Sequence, residues 1–222
     1  MRITTTIITL AVGALAASAS VVPFTEDFES GANNWVAGSF APLTWNAAGA
    51  LDGSAYVTGT TDLNTAGPFG LALLRGQDDQ DSSGDAFVGN YLAGGINTVS
   101  FDIRHNAGVD LDISLRVAGS GNFPAFAVQT GGLVASGQWM TLSFDLSFAN
   151  PLVTIEGPPS QAAFDAVMQQ VGNLQVSTFR PDGLTTPLLA DFDLDNVTIT
   201  PSPGGVAVLG LGILAVARRR RG

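Results

Sequence analysis

The chain has 222 residues, 19 of them acidic and 9 basic, a formal net charge of −10, and neither cysteine nor lysine. All 19 acids lie between Glu26 and Asp195, where the basic residues are Arg75, Arg104, Arg116 and Arg180, so that stretch carries a net −15. Such a body repels nucleic acid and anionic membrane, which excludes both as expected partners. With no disulfide available, its stability must come from a packed core, with or without metal ions.

Met1 and Arg2 form a short positive start, 3–15 is an apolar, threonine-rich stretch, and Ala17-Ser18-Ala19 is a small-residue cleavage site read at Ala17 and Ala19. Residues 1–19 therefore read as a signal peptide, with the mature chain beginning near Ser20 and one domain spanning 20–200.

From Val21 onward the dominant period is two, the signature of strands with one buried face. Short strands are expected at 34–36, 44–46 and 55–58, with further ones at 69–74 and 86–91. The alternation runs through Val99, Phe101 and Ile103, is clearest at the odd positions of 109–117, where Ser114 and Arg116 fall on the polar side, and recurs in Met140, Leu142, Phe144, Leu146 and Phe148. His105-Asn106-Ala107-Gly108 is expected to turn the first of these strands into the second as a hairpin. Phe164, Val167, Met168 and Val171 instead follow helical spacing after Ser160, a suitable N-cap, with Gly172-Asn173 able to end the helix. A strand at 174–179 follows. In 191–199 the apolar positions change parity from Phe192 and Leu194 to Val197 and Ile199, which places a bulge at Asp195-Asn196. Many short strands and one short helix indicate an all-β protein, an antiparallel jelly-roll β-sandwich.

The chain ends in Pro201, Ser202 and Pro203, an apolar run of 14 residues from Gly204, and Arg218, Arg219, Arg220 and Arg221. As a helix at ~1.5 Å per residue the run covers ~21 Å of a ~30 Å hydrocarbon layer, and the arginines hold its end on the cytoplasmic side. This tail, 201–222, resembles the bacterial PEP-CTERM sorting signal, with Ser202 in place of the family's usual Glu. The resemblance implies a transient membrane insertion, cleavage near the prolines by an exosortase-type processing protease, and release to the cell surface or extracellular matrix. The alternative is a short anchor that is never cut.

Trp139 with its strand, Phe164 to Met168 leading into Val171-Gly172-Asn173-Leu174, and Leu194-Asp195-Asn196-Val197 look like the second half of a laminin B module. Asn34-Trp35, Thr44-Trp45-Asn46 and 99–104 fit the same template. The resemblance extends to jelly-roll carbohydrate-binding modules and implies an adhesive or glycan-binding domain. Modules of this kind often hold a structural calcium ion where the last strand meets the first. That points to Glu26 and Glu29 with Asp193 and Asp195, since crowded carboxylates repel unless a cation neutralises them and Ca²⁺ prefers oxygen. A second calcium candidate is the loop Asp79, Asp81 and Ser83 with Gly84 in sixth position, although Asn90 stands where a bidentate carboxylate belongs. Solvated acidic loops are the alternative at both places.

No catalytic residue is assigned. The three glutamates show no paired spacing of the kind sandwich-fold glycosidases use, His105 has no Gly-x-Ser-x-Gly elbow to serve, and zinc would lack its usual ligands. Trp139 is the glycan-binding candidate among Trp35, Trp45, Tyr56, Tyr91 and Trp139, because its parity places it opposite the core face. The expectation is an exported, non-catalytic surface or matrix protein associated with extracellular polysaccharide. A carbohydrate-active enzyme using the 191–195 acids and a purely structural coat protein are the competing classes.

Overall fold

The computed structural model describes residues 21–65 and 70–201; the expectations for Ala17, Ala19, Pro203 and Arg218 to Arg221 lie outside them. The strands are β1 (Phe24–Glu26), β2 (Val36–Ala37), β3 (Thr44–Asn46), β4 (Tyr56–Asp62), β5 (Leu71–Gln77), β6 (Ile96–His105), β7 (Ile113–Gly119), β8 (Ala125–Gln129), β9 (Met140–Asp145), β10 (Val153–Ile155), β11 (Val171–Thr178) and β12 (Leu189–Pro201). Two short helices, α1 (Tyr91–Gly94) and α2 (Gln161–Met168), join them. The strands form two six-stranded antiparallel sheets. The back sheet runs β3-β4-β12-β6-β9 with β1 also on β12, and the front sheet runs β10-β8-β7-β11-β5-β2. The protein is a jelly-roll β-sandwich.

Alternation explains the core. Phe101, Ile103, Leu142, Phe144, Phe192 and Leu194 of the back sheet and Leu115, Val117, Phe126, Val128, Leu174 and Val176 of the front sheet are all buried in one cluster. Each contributes on the order of 1.5–3 kcal/mol by leaving water. Val21, the first described residue, belongs to the same cluster. Pro201, the first residue of the expected tail, is still part of β12 and pairs with Ile96.

The long strand β12 changes partner along one edge, pairing with β4 over Leu189 to Leu194 and with β1 over Val197 to Ile199. The parity switch foreseen at Asp195-Asn196 is that junction: the β6 register shifts there and Asn196 has φ 51°. Helix α2 starts where expected, with the Ser160 hydroxyl accepting the Ala163 N–H at 3.1 Å. It ends earlier, at Met168, and β11 has begun by Val171. Gly172 is a strand residue, and a Cβ there would stand 2.5 Å from the Ser120 Cα. Close approach of two backbones is what requires glycine, and it is not a helix stop.

Three further expectations are corrected. Residues 86–91 form no strand; Asn90 caps α1 by accepting the Ala93 N–H, and Gly95 closes that turn at φ 68°. The segment 105–108 is not a hairpin, because β6 and β7 lie in opposite sheets and the chain crosses between them. Within β7 every residue is buried, not one face alone, since Ser114 and Arg116 lie under loops on the outer side.

His105 is not an exposed turn residue. It closes β6 at 1 % exposure, stacks on Phe192 at 5.8 Å, and places Nε2 3.0 Å from the Val134 carbonyl. Burial pushes its pKa down, partly offset by the Val134 carbonyl. The fold therefore favours the neutral ring, while below about pH 6.5 the unfolded chain takes up a proton that the folded one does not, so stability falls as pH drops through that range. As the chain has one histidine, an NMR titration of its ring should show a single midpoint below the ordinary 6.5. A midpoint at or above it would contradict the buried placement.

Candidate functional site

On the front sheet many of the residues that point away from the core are polar. Register places Val36, Arg75, Gln175, Arg116, Ala127 and Thr154 in one row across all six strands. Asn173 pairs with Gln77 and Ala118 on one side of that row, and Ser177 pairs with Ala72 and Ser114 on the other. Such positions normally face solvent, yet Gln77, Ser114, Arg116, Asn173, Gln175 and Ser177 are at most 8 % exposed.

Loops border the row at both ends. At the β7–β8 end, Arg116 grips Glu156 bidentately, with Nε donating at 2.5 Å and Nη2 at 2.9 Å. It also donates to the Asn122 side chain at 2.7 Å and to the Asn122 carbonyl at 2.8 Å. The Gln175 amide donates to the same Asn122 side-chain oxygen at 2.8 Å, and Asn173 donates to the Gly119 carbonyl at 2.7 Å. This lattice carries Phe123, which stacks on the Arg116 guanidinium at 5.3 Å and remains 66 % exposed.

At the β2–β5 end the loop after β2 lies directly on β5. Gly38 donates to the Leu73 carbonyl at 2.9 Å, and a Cβ at Gly38 would fall 1.8 Å from the Ala72 oxygen, so no side chain fits. The loop brings Phe40, 55 % exposed, to 4.7 Å from the Arg75 guanidinium. Arg75 Nε is buried without a hydrogen-bond partner. Burial, and secondarily the Arg116 charge, hold the Arg75 guanidinium below its ordinary pKa. The face is thus a line of fixed amide and guanidinium groups with an aromatic ring near each end. Each ring has one side on an arginine and more than half its surface in solvent.

Trp139 lies on the other side of the molecule. Its ring meets Tyr56 edge-on at 5.6 Å, carries Arg104 over one face at 4.8 Å, and its N–H donates to the Gly49 carbonyl at 3.1 Å. Beside it, Tyr56, Thr58, Arg104, Asn106, Asp191 and Asp193 help line a shallow cavity of about 430 Å³. Of the other aromatic candidates, Trp35 and Tyr91 are in the core, while Trp45 is part-exposed on β3 and donates to the Phe28 carbonyl.

The carboxylates divide differently from the expected grouping. Asp193 is held by Arg104 in an ion pair at 2.7 Å, away from the β1 acids. Glu26 accepts from Phe28 N–H, from Asn33 at 2.8 Å and from Ser83 at 2.6 Å, so it joins the second loop and not the last strand. Ser83 also accepts from the Trp35 indole, and Asp79 is exposed. Asp81 lines the open pocket beside Glu26 and Asp27. Glu29 and Asp195 do converge on one turn: Glu29 accepts the Ala55 N–H at 3.0 Å and Asp195 accepts the neighbouring Ser54 hydroxyl at 2.9 Å, with Asp52 bonded to the same hydroxyl. Asp195 is fully buried, its Oδ1 has no partner, and burial pushes its pKa up to about 6. Among the described residues no group of three or more acidic or histidine side chains is clustered closely enough to hold a metal ion unaided.

No protein-family model matches the chain, and no curated protein matches it. Solved structures do match it. They include the family 22 carbohydrate-binding and catalytic modules of a Clostridium thermocellum xylanase complexed with xylohexaose, at 16 % identity and TM-score 0.47 over 81 % of this chain. This chain spans 28 % of that one. A family 11 carbohydrate-binding module of a cellulosomal cellulase from the same organism matches at 10 % identity and TM-score 0.46, over 83 % of this chain and 97 % of that one. The L4b domain of human laminin α-2 matches at 9 % identity and TM-score 0.39, over 71 % and 96 %.

Sequence analysis missed the front face. Its signals were present: Ser114 and Arg116 on the polar side of a strong alternation, and two of the body's four arginines within an otherwise acidic chain. Phe40 and Phe123 stand in loops, where no periodicity marks an aromatic as exposed.

Proposed function

We propose that the chain is an exported, non-catalytic polysaccharide-binding protein and that its ligand lies along the outer face of the front sheet. The observation that carries this is the pair of exposed rings, Phe40 and Phe123, each fixed on a guanidinium near one end of a hydrogen-bonded polar row. Sugar rings offer apolar C–H faces to an aromatic platform, and such a platform recognises best when already held in place, as Phe40 and Phe123 are by the guanidinium groups behind them. The row is held by β-register and by Asn122, so little ordering remains to be done on binding. Fully buried Asp195 cannot touch a substrate, which weighs against an enzyme using the 191–195 acids.

Affinity electrophoresis in gels containing xylan, mixed-linkage β-glucan or polygalacturonate tests the assignment. Phe123→Ala should weaken retention roughly tenfold by removing a stacking platform, and Trp139→Ala should leave it unchanged. The reverse ranking would move the site to the Trp139 cavity.

Calcium forms part of the proposal. The ion would be held by Glu29 and Asp195, and the buried, unpartnered Asp195 Oδ1 supports this donor pair. Its contribution would be structural, neutralising carboxylates where the turn before β4 meets β12.

The sorting role of 201–222 rests on the order of its prolines, apolar run and arginines. Among the described residues no helix is long and apolar enough to cross a membrane. Intact mass of the protein from its own cells should show trimming at both ends, with the trimmed form outside the cell. An uncut C-terminus in the membrane fraction would make the tail an anchor.

A further inference from the structure

Building on the front-face proposal, we infer that the preferred glycan is anionic, carrying carboxylates of the uronic acid kind, and that Arg75 reads that charge. The charges around the row favour an anion. Glu156, which borders the row, is consumed by Arg116 in a bidentate pair. Arg104, on the other sheet, is matched by Asp193. Arg75 has neither kind of partner: among the described residues no carboxylate pairs with it, and no acid occurs in the undescribed segments. The nearest acids along the chain, Asp78 and Asp79, lie beyond the end of β5, where the Asp78 carboxylate accepts the Asp79 N–H.

Arg75 is therefore an uncompensated cation in a body of net −15, half-buried, with Nε shut off from water and unsatisfied. A buried donor left unpaired is unfavourable, and a guanidinium is the donor that a planar carboxylate matches best. Phe40 covers one side of the guanidinium, and the residue as a whole remains partly exposed beside that ring. Gln175 and Arg116 follow at successive strands, so Arg116 stands about 10 Å from Arg75 at ~4.8 Å per strand. A glycan laid along this row meets a cation beside one platform and a neutralised pair beside the other. The acidic remainder of the surface repels a polyanion, which confines binding to this strip.

The test compares the full-length chain on polygalacturonate, xylan and mixed-linkage β-glucan at low and high salt. Tighter binding to polygalacturonate, roughly tenfold or more, that falls several-fold as salt rises is the expected result. Arg75→Gln should abolish that preference, while Arg104→Gln keeps it. Should Arg75→Gln fold poorly, the salt dependence of the natural chain still decides. Equal or tighter salt-insensitive binding to the neutral glycans overturns the anionic preference while leaving glycan binding at the face intact. No binding to any of the three overturns both.

Discussion

In an Arg116→Met variant, retention on polysaccharide falls by at least ~100-fold and the unfolding free energy by about 3 kcal/mol. Both losses come from one side chain. Arg116 holds Glu156, fixes the Asn122 loop through two hydrogen bonds and supports the Phe123 ring, so its removal strands a largely buried carboxylate and releases a platform and its loop together. Removing one member of a buried ion pair costs about 3–5 kcal/mol because the other is left uncompensated. Replacing both, as Arg116→Met with Glu156→Gln, should recover most of the stability and none of the binding. Calorimetric melting and affinity electrophoresis on the same three proteins separate the two effects. Restored binding in the double variant would show that the guanidinium contributes only to folding.

Stripped of divalent cations at neutral pH, Asp195→Asn is expected to be more stable than the natural chain by roughly 2–3 kcal/mol. Asp195 is fully enclosed, has an unpartnered oxygen and titrates near 6 in place of 3.8, chiefly because burial disfavours its charge. From about pH 4 to pH 6 the folded state keeps a proton that the unfolded state releases. This group therefore lowers stability as pH rises through that window and leaves it low above it, whereas below pH 4 the advantage of the variant disappears. Millimolar calcium should reverse the ranking at pH 7, because the natural carboxylate then gains a cation that the amide cannot hold as well. Thermal melts of both proteins in chelator and in calcium test this. Melting points that ignore calcium would remove the ion from the account and leave the orphaned oxygen as an isolated cost of folding.

The fold was legible wherever one face of a strand meets the core and the other meets water. β6, β9 and β12 show that alternation, and the bulge at Asp195-Asn196 was visible because a partner change along an edge forces a change of parity. α2 was legible from its cap and its spacing. The assignment of β6 and β7 to one hairpin failed because alternation reports which residues are buried and says nothing of which sheet a strand joins. β8 escaped although Phe126 and Val128 alternate, since five residues between glycine-rich turns give little to count.

The candidate site was far less legible. Its polar row is buried under loops, so Arg116 and Gln175 carry no mark that separates them from solvent-facing residues of the same parity. Trp139 drew attention as a large aromatic with outward parity, yet one face of its ring is under Arg104. Glu29 and Asp195 were both singled out, but the turn that brings them together, through Ser54 and Ala55, is separated from Asp195 by 141 residues and could not be anticipated from spacing.

The most direct test of the front face as the binding surface is amide hydrogen exchange on the full-length protein with and without acidic and neutral oligosaccharides. Slowed exchange at 38–41, 119–124 and 173–177 with either class is the predicted result, strongest with the acidic one. Protection confined to 104–106 and 137–139, around Trp139, or no change with any oligosaccharide, would contradict it.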